Sequence, residues 1–261
     1  MREEIRRLDL NSDVGESFGV YKLGMDEEII KHITSANIAC GFHAGDPNVM
    51  NHTVNLCVEA GVAVGAHPSF PDRMGFGRRI MEISPEELRN DITYQLGALR
   101  GFAEAAGTTL QHCKVHGALY NMAFKNEEVS KVVVEAVRAF DPNIILVAQA
   151  KSKLAEIGER AGLRVAREVF ADRALTDDGN LVSRRLPGAV IRDPTVAARR
   201  VVRMVTEGKV ESIKGREVDL GRIDTICVHG DTPRALELVK SFRRRLEAEA
   251  EIRIIAMGEF L

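Results

Sequence analysis

Reactive side chains in this sequence fall at the ends of short apolar runs, beginning with Asp9-Leu10-Asn11-Ser12-Asp13-Val14-Gly15-Glu16. In an extended strand alternate side chains share a face, so Asp9, Asn11 and Asp13 point one way and Leu10 the other. An inward row of two carboxylates and an amide demands cations, a metal or a polar ligand, because burying unpaired charge is expensive. The bland alternative for Asp13 is a turn, which Asp, Asn and Gly favour. Ala39-Cys40-Gly41-Phe42-His43-Ala44-Gly45-Asp46-Pro47 follows, its glycines letting backbone approach a ligand closely. Asp46 is accounted for as a helix cap; His43, in a tight loop, has no such structural duty.

His67 ends a third apolar run, and Gly75-Phe76-Gly77-Arg78-Arg79 then offers fixed cations suited to carboxylate or phosphate, or else a solvated pair. Lys114 and His116 alternate within Cys113-Lys114-Val115-His116, so both point inward from one strand. Each disfavours the other's charged form, which biases the pair toward one neutral member able to accept a proton near neutral pH. Glu168, Asp172 and Arg173 add two acids and an arginine. His229 and Asp231 close the series, Asp231 again serving equally well as a cap.

Asp13, His43 and His67 together would make a carboxylate–imidazole set with open positions, suited to a metal that activates water. None of them has the tight spacing of a metal-binding helix motif. His32 and His52 on helices, and His112 ahead of a strand, read as ordinary residues. The chain has no G-x-x-x-x-G-K-[ST] loop and no G-x-G-x-x-G, and although Gly15-Glu16-Ser17-Phe18-Gly19 matches G-x-S-x-G in letters, no predicted helix begins there to make the strand–turn–helix elbow. Any nucleotide therefore docks by other means, and a serine hydrolase is disfavoured.

Positioning this ring of groups is the task of alternating strands and helices. Period and punctuation predict strands at Leu8–Asn11, Ser35–Cys40, Ala63–His67, Cys113–His116, Ile144–Ala148, Val165–Phe170 and Thr225–His229. Helices are predicted at Glu27–Ile33, Pro47–Ala60, Pro85–Ala106, Asn126–Ala139, Lys151–Ala161, Thr195–Thr206 and Arg234–Glu249. Asp46-Pro47, Ser84 with Glu87, Asp193-Pro194 and Asp231-Thr232-Pro233 supply start signals. Repeated strand–helix units imply a parallel sheet. An open sheet concentrates chemistry at one crevice, whereas here nearly every strand ends in a reactive group, as at the C-terminal mouth of a barrel. The fold class predicted is α/β, a single TIM-like (β/α) barrel of about seven strands, with residues 1–261 as one domain. Ala174–Gly188 breaks the rhythm and reads as a long loop near the mouth, of the kind that forms lids.

The chain has 261 residues, 45% apolar and 28% charged, enough for a large core without disulfides. Its net charge of −2 argues against nucleic acid as a partner, and Arg243-Arg244-Arg245 among glutamates is a solvated helix face. The four cysteines form no C-x-x-C pair and read as reduced, buried thiols. A charged N-terminus and the absence of a long apolar run predict neither secretion nor a membrane span, leaving the cytoplasm.

The blocks DLNSDVGES, ANIACGFHAGDP, GAHPSFPD, GFGRR, KVHGALYN, EVFADR, RLPGAV and VHGD, in this order, resemble the LamB/YcsF family, the family of the 5-oxoprolinase A subunit. Ala174-Leu175 departs from it, since an aromatic residue commonly follows the EVFADR block. The resemblance implies a barrel related to those of glycoside hydrolases and deacetylases. It also implies ATP-dependent opening of 5-oxoproline to L-glutamate, with two further subunits, ATP as co-substrate and a divalent metal as an option. On that basis Asp13, His67, Lys114 and His116 are the catalytic candidates. Asn11, Glu16, His43, Arg78, Arg79, Tyr120, Glu168, Asp172, Arg173 and His229 are candidates for substrate or phosphate, and Asp13 or Glu16 for an ion with the nucleotide. The competing expectations are a metal-dependent deacetylase of an N-acetylated sugar, and a non-catalytic lactam-binding protein.

Overall fold

A computed structural model describes residues 5–228, 235–249 and 251–261. Its parallel strands are β1 (Arg6–Val14), β2 (Ser35–Ala39), β3 (Ala63–His67), β4 (Leu110–Cys113), β5 (Ile145–Gln149) and β6 (Val165–Phe170). The antiparallel pair β7 (Lys209–Glu211) and β8 (Glu217–Asp219) stands apart, followed by β9 (Thr225–Cys227) and β10 (Ile252–Ile254). Strand β9 pairs with both β6 and β1, closing β1 through β6 and β9 into a seven-stranded barrel. Strand β10 adds to β1 at Arg6–Leu8, just before β9 takes over at Asp9.

Helices α1 (Asp26–Ile29), α2 (Pro47–Ala60), α3 (Pro85–Ala105), α4 (Gly117–Ala123), α5 (Glu127–Phe140), α6 (Lys153–Arg160), α7 (Pro194–Glu207) and α8 (Ala235–Glu247) connect these strands. The caps work as the residue types require. Asp46 accepts from the amides of Asn48 and Val49, Ser84 and Glu87 form a capping box, and Asp193 accepts from Thr195 and Val196. Leu8, Leu10 and Val14 of β1 lie in the continuous apolar layer that also holds Val54 of α2, Leu96 and Leu99 of α3, and Phe242 of α8. The inner faces of the strands are polar instead, and that inversion makes the site.

One expected strand is shifted, and several short elements leave no signal in the sequence. The predicted strand Cys113–His116 lies earlier, at Leu110–Cys113, and His116 precedes α4, a helix too short to stand out by periodicity. The amides of Lys114 and His116 nevertheless continue the ladder, donating to the carbonyls of Ala66 and Pro68, so the two side chains keep one orientation. Strands β7, β8 and β10 are each three residues long, too short for a periodic signal. Residues 174–188 form the expected long loop, with residues 180–185 lining the mouth, and the loop is tied down by its own contacts. Backbone bridges join Arg173 to Val190 and Leu175 to Leu181, and Ala174, Val182 and Ala189 pack into a small apolar cluster. Ala174 and Leu175 are buried, so this strap accommodates the family departure with small side chains.

A candidate active site at the barrel mouth

The inner face of β1 sets the depth of the site. Asp9, at the floor, accepts hydrogen bonds from the hydroxyls of Thr34, Ser35 and Thr225. Burial raises its pKa to about 6, the hydroxyls offsetting only part of that cost. One layer up, the Asn11 amide donates to Glu168 Oε1 at 2.9 Å and Thr225 Oγ1 at 2.7 Å. Its carbonyl accepts from Asn37 at 2.7 Å.

Lys114 occupies the barrel axis at the next layer. Its Nζ lies 3.0 Å from Asp13 Oδ1, 2.9 Å from Glu168 Oε1 and 3.0 Å from Cys227 Sγ. Burial opposes the ammonium charge, but Asp13, Cys227 and Glu168 outweigh it and hold the pKa well above the ordinary lysine value. The Tyr120 hydroxyl donates to Glu168 Oε2 at 2.6 Å, and burial next to that carboxylate raises the phenol well above its usual range. The Lys114–His116 tension expected from spacing is thus resolved by two carboxylates that keep the lysine charged. Cys227 is a participant that no local signal marks, because its sequence context is an ordinary apolar run.

Above the lysine, three imidazoles converge. His67 Nδ1 donates to the Lys114 carbonyl at 2.6 Å and His116 Nε2 donates to the Phe76 carbonyl at 2.9 Å. Those bonds fix the tautomers, leaving His67 Nε2 and His116 Nδ1 as bare nitrogens when the rings are neutral. The two nitrogens face each other at 2.9 Å. Glu16 Oε1 is 3.8 Å from His116 Nδ1 and 3.3 Å from His43 Nε2, while Asp13 Oδ2 is 3.3 Å from His67 Nε2. The rings of His43 and His116 stack at 3.8 Å. Burial and then the neighbouring imidazoles push His43 and His116 well below the usual histidine pKa. Lone pairs and carboxylates directed at one point need a cation between them.

Glu16, His43, His67 and His116 place one ligand atom each within 4.8 Å of one another, a buried cluster that could hold a divalent metal. His43 Nδ1 is buried with no hydrogen-bond partner among the described residues. This group shares His43 and His67 with the expected Asp13, His43 and His67 and adds Glu16 and His116, while Asp13 reaches Lys114 through Oδ1 and stays 3.3 Å from His67 Nε2 through Oδ2. Glycine makes the approach feasible, because a Cβ on Gly77 would collide with Ser69 Oγ and stand 2.8 Å from His116 Cδ2.

A cavity of about 480 Å³ opens over this cluster, reaching Asp13, Glu16, His67, Lys114, His116, Tyr120 and the arginines Arg78 and Arg173. Asn11 and Glu168 lie beneath it as supports, and Asp172 is buried beside Arg173. Arg79 is not part of this wall. Its guanidinium pairs with buried Asp72, whose carboxylate also accepts from the Gly75 amide and so closes the turn. His229 and Asp231 lie outside the described residues. His112, outside the cavity lining and the cluster, is fully buried in β4 with its Nε2 2.9 Å from Asn37 Oδ1. Burial, with Lys114 nearby, lowers its pKa to about 3. The signal for it in the sequence is Gly65, where any Cβ would collide with that imidazole.

The fold and site together define a closed, TIM-like β/α barrel with a titratable, cation-competent mouth at the C-terminal strand ends. The chain belongs to the LamB/YcsF family, whose model matches residues 8–260. It is 57% identical over 255 residues to the 5-oxoprolinase A subunit of Pyrococcus abyssi, covering 98% of this chain and 99% of that protein. It is 56% identical over 255 residues to the 5-oxoprolinase A subunit of Campylobacter jejuni subsp. jejuni, with the same coverage of 98% and 99%. Among solved structures it is similar to the lactam utilization protein from Thermus thermophilus, at 47% identity and a TM-score of 0.90, covering 96% of this chain and 100% of that one. Among the described residues no helix is long and apolar enough to cross a membrane.

Proposed function

We propose that this chain is the A subunit of an ATP-dependent 5-oxoprolinase, opening the lactam of 5-oxoproline to L-glutamate with two further subunits in the cytoplasm. The observation that carries the reading is the meeting of bare imidazole nitrogens, Glu16 and the charged Lys114 at the floor of one cavity. It is supported by the names of relatives more than half identical over nearly their whole length.

A five-membered lactam resists water because its nitrogen is a poor leaving group and its carbonyl a weak electrophile. Transfer of the γ-phosphoryl group of ATP to the lactam oxygen activates the ring carbon. Water adds there, the C–N bond breaks as nitrogen takes a proton, and a second water releases phosphate from the resulting acyl phosphate. The Lys114 ammonium, locked by Asp13 and Glu168, offers a fixed positive charge to the developing oxyanion. With His116 Nε2 and His67 Nδ1 each donating to a backbone carbonyl, the two remaining nitrogens, 2.9 Å apart, can share one accepted proton, so the imidazole pair serves as the general base. Glu16, His43, His67 and His116 would hold a divalent ion, which when bound supplies Lewis acidity and lowers the pKa of a water. Bound in that way, His116 gives up its lone pair, so its two roles exclude each other and metal loading decides between them.

Glutamate release from 5-oxoproline, measured with and without ATP and with and without the partner subunits, tests the proposal. The expected result is release only when all are present. Release from an N-acetylated sugar of acetate by the isolated chain, without ATP, would instead establish the metal-dependent deacetylase that the same cluster could serve.

A further inference from the structure

The outer wall of the cavity is built from arginine. Arg78 comes from the loop after β3, Arg173 from the end of β6, and Arg184 and Arg185 from the strap that folds back across the mouth; all four line one cavity. Several arginines elsewhere are matched with acids, as in Arg89–Glu135, Arg167–Glu159, Arg203–Glu217 and Arg243–Glu247. Among the described residues no carboxylate pairs with Arg184 or Arg185. Arg173 is only 6% exposed, and its Nε has no hydrogen-bond partner, although its Nη2 donates to the Val182 carbonyl at 2.6 Å. That bond ties the buried guanidinium to the strap carrying the other two.

Burying a guanidinium close to like charges costs free energy, and buried Arg173, beside half-buried Arg184, shows the cost. Burial, with Arg184 and Arg78 nearby, pushes Arg173 down to about 10 despite Asp172. Of the acids that line the cavity among the described residues, Asp13 is 3.0 Å from Lys114 and Glu16 is 3.3 Å from His43. What compensates such a wall is an anion with planar or tetrahedral oxygens, which guanidinium groups grip through paired N–H donors.

We propose that Arg173, Arg184 and Arg185, together with Arg78, form an anion subsite for the oxyanion of the incoming ligand, with the two strap arginines setting its specificity. The chemistry shared by a carboxylate and a phosphoryl group is the same here. The subsite rests on the lactam-opening reading only for where its anion comes from: the carboxylate of 5-oxoproline or a transferred phosphate.

The test is isothermal titration of the full chain with inorganic phosphate, with 5-oxoproline, and with 2-pyrrolidinone, the same lactam without a carboxylate. Arg184→Gln and the double variant Arg184→Gln/Arg185→Gln are compared with Arg184→Lys and with Arg89→Gln as a remote control. The charge-removing variants are expected to bind an anion roughly tenfold more weakly than wild type, with Arg184→Lys between them and 2-pyrrolidinone unaffected. Weakening confined to 5-oxoproline assigns the subsite to the carboxylate, and weakening confined to phosphate assigns it to the phosphoryl group. The proposal is overturned if the wild-type chain binds neither anion, if the double variant binds both as wild type does, or if 2-pyrrolidinone is lost in parallel. Anion binding that depends on these arginines in a complex releasing no glutamate would refute the lactam reading and leave the subsite standing. Normal glutamate release with unchanged anion affinity in the variants removes the subsite alone.

Discussion

Replacing Lys114 with methionine tests whether the central lysine is the counter-charge that allows two carboxylates inside the barrel. The side chain is 2% exposed, 3.0 Å from Asp13 and 2.9 Å from Glu168. Methionine keeps the volume and removes the charge, leaving both acids facing each other across a dry axis. Deleting one partner of a buried ion pair costs about 3–5 kcal/mol. In a chain of this size that lowers the melting temperature by roughly 6–20 °C. The deficit is pH-dependent with a definite sign: without the ammonium the folded state binds protons more tightly than the unfolded chain, so the loss is full at pH 7 and shrinks toward pH 4. Denaturant unfolding at both pH values, for Lys114→Met and for Lys114→Met/Asp13→Asn/Glu168→Gln, reads this directly. The triple variant should recover most of the lost stability. Equal midpoints for wild type and Lys114→Met at pH 7, or a triple variant no better than the single, would refute the reasoning.

Other expectations follow from single contacts. Asp9 has a folded-state pKa of about 6 against an ordinary 3.8, so its protonated form is the stabilised one. Its contribution falls by roughly 2 kcal/mol as pH rises from 4 to 6, and Asp9→Asn should flatten that part of the stability–pH curve; an unchanged slope counts against the assignment. Gly65→Ala drives a Cβ into the His112 ring and should destabilise the barrel by about 1–3 kcal/mol, relieved when combined with His112→Ala. A chelator should lower the melting temperature of the purified chain, with Zn²⁺ or Mn²⁺ restoring it, because an ion bound only to the folded state adds about 2.7 kcal/mol at a hundredfold excess over its dissociation constant. A chain insensitive to both additions has no ion at Glu16, His43, His67 and His116.

What is legible in the sequence divides along physical lines. The alternation of Asp9, Asn11 and Asp13 on β1 and the caps at Asp46, Ser84 and Asp193 can be read because they depend on residues close in sequence. His43, His67, Lys114 and His116 stand out as polar groups lacking a structural duty. How they are partnered depends on closure of the barrel, which sets residues 16, 43, 67 and 116 around one point and brings Cys227 to Lys114. Spacing alone therefore brings out Asp13, His43 and His67, whereas the gathering of Glu16 and His116 with those imidazoles emerges only on closure. Arg79 and His112 escape a local reading for the same reason, one captured by Asp72 and the other inserted against Gly65. Composition makes the strap look like a lid, since its polar turns are obvious and the buried contacts of Ala174, Val182 and Ala189 are not.

If the imidazole cluster is where the lactam is opened, turnover must depend on it. The most direct measurement is ATP-dependent glutamate formation from 5-oxoproline by the complex with its partner subunits, with this chain carrying His116→Ala or His116→Gln. Both variants are predicted to fold, to assemble with the partners, and to lose at least about a hundredfold in turnover, the contribution of a positioned acid–base group. Turnover equal to wild type in an assembled, folded His116→Ala complex would contradict the account.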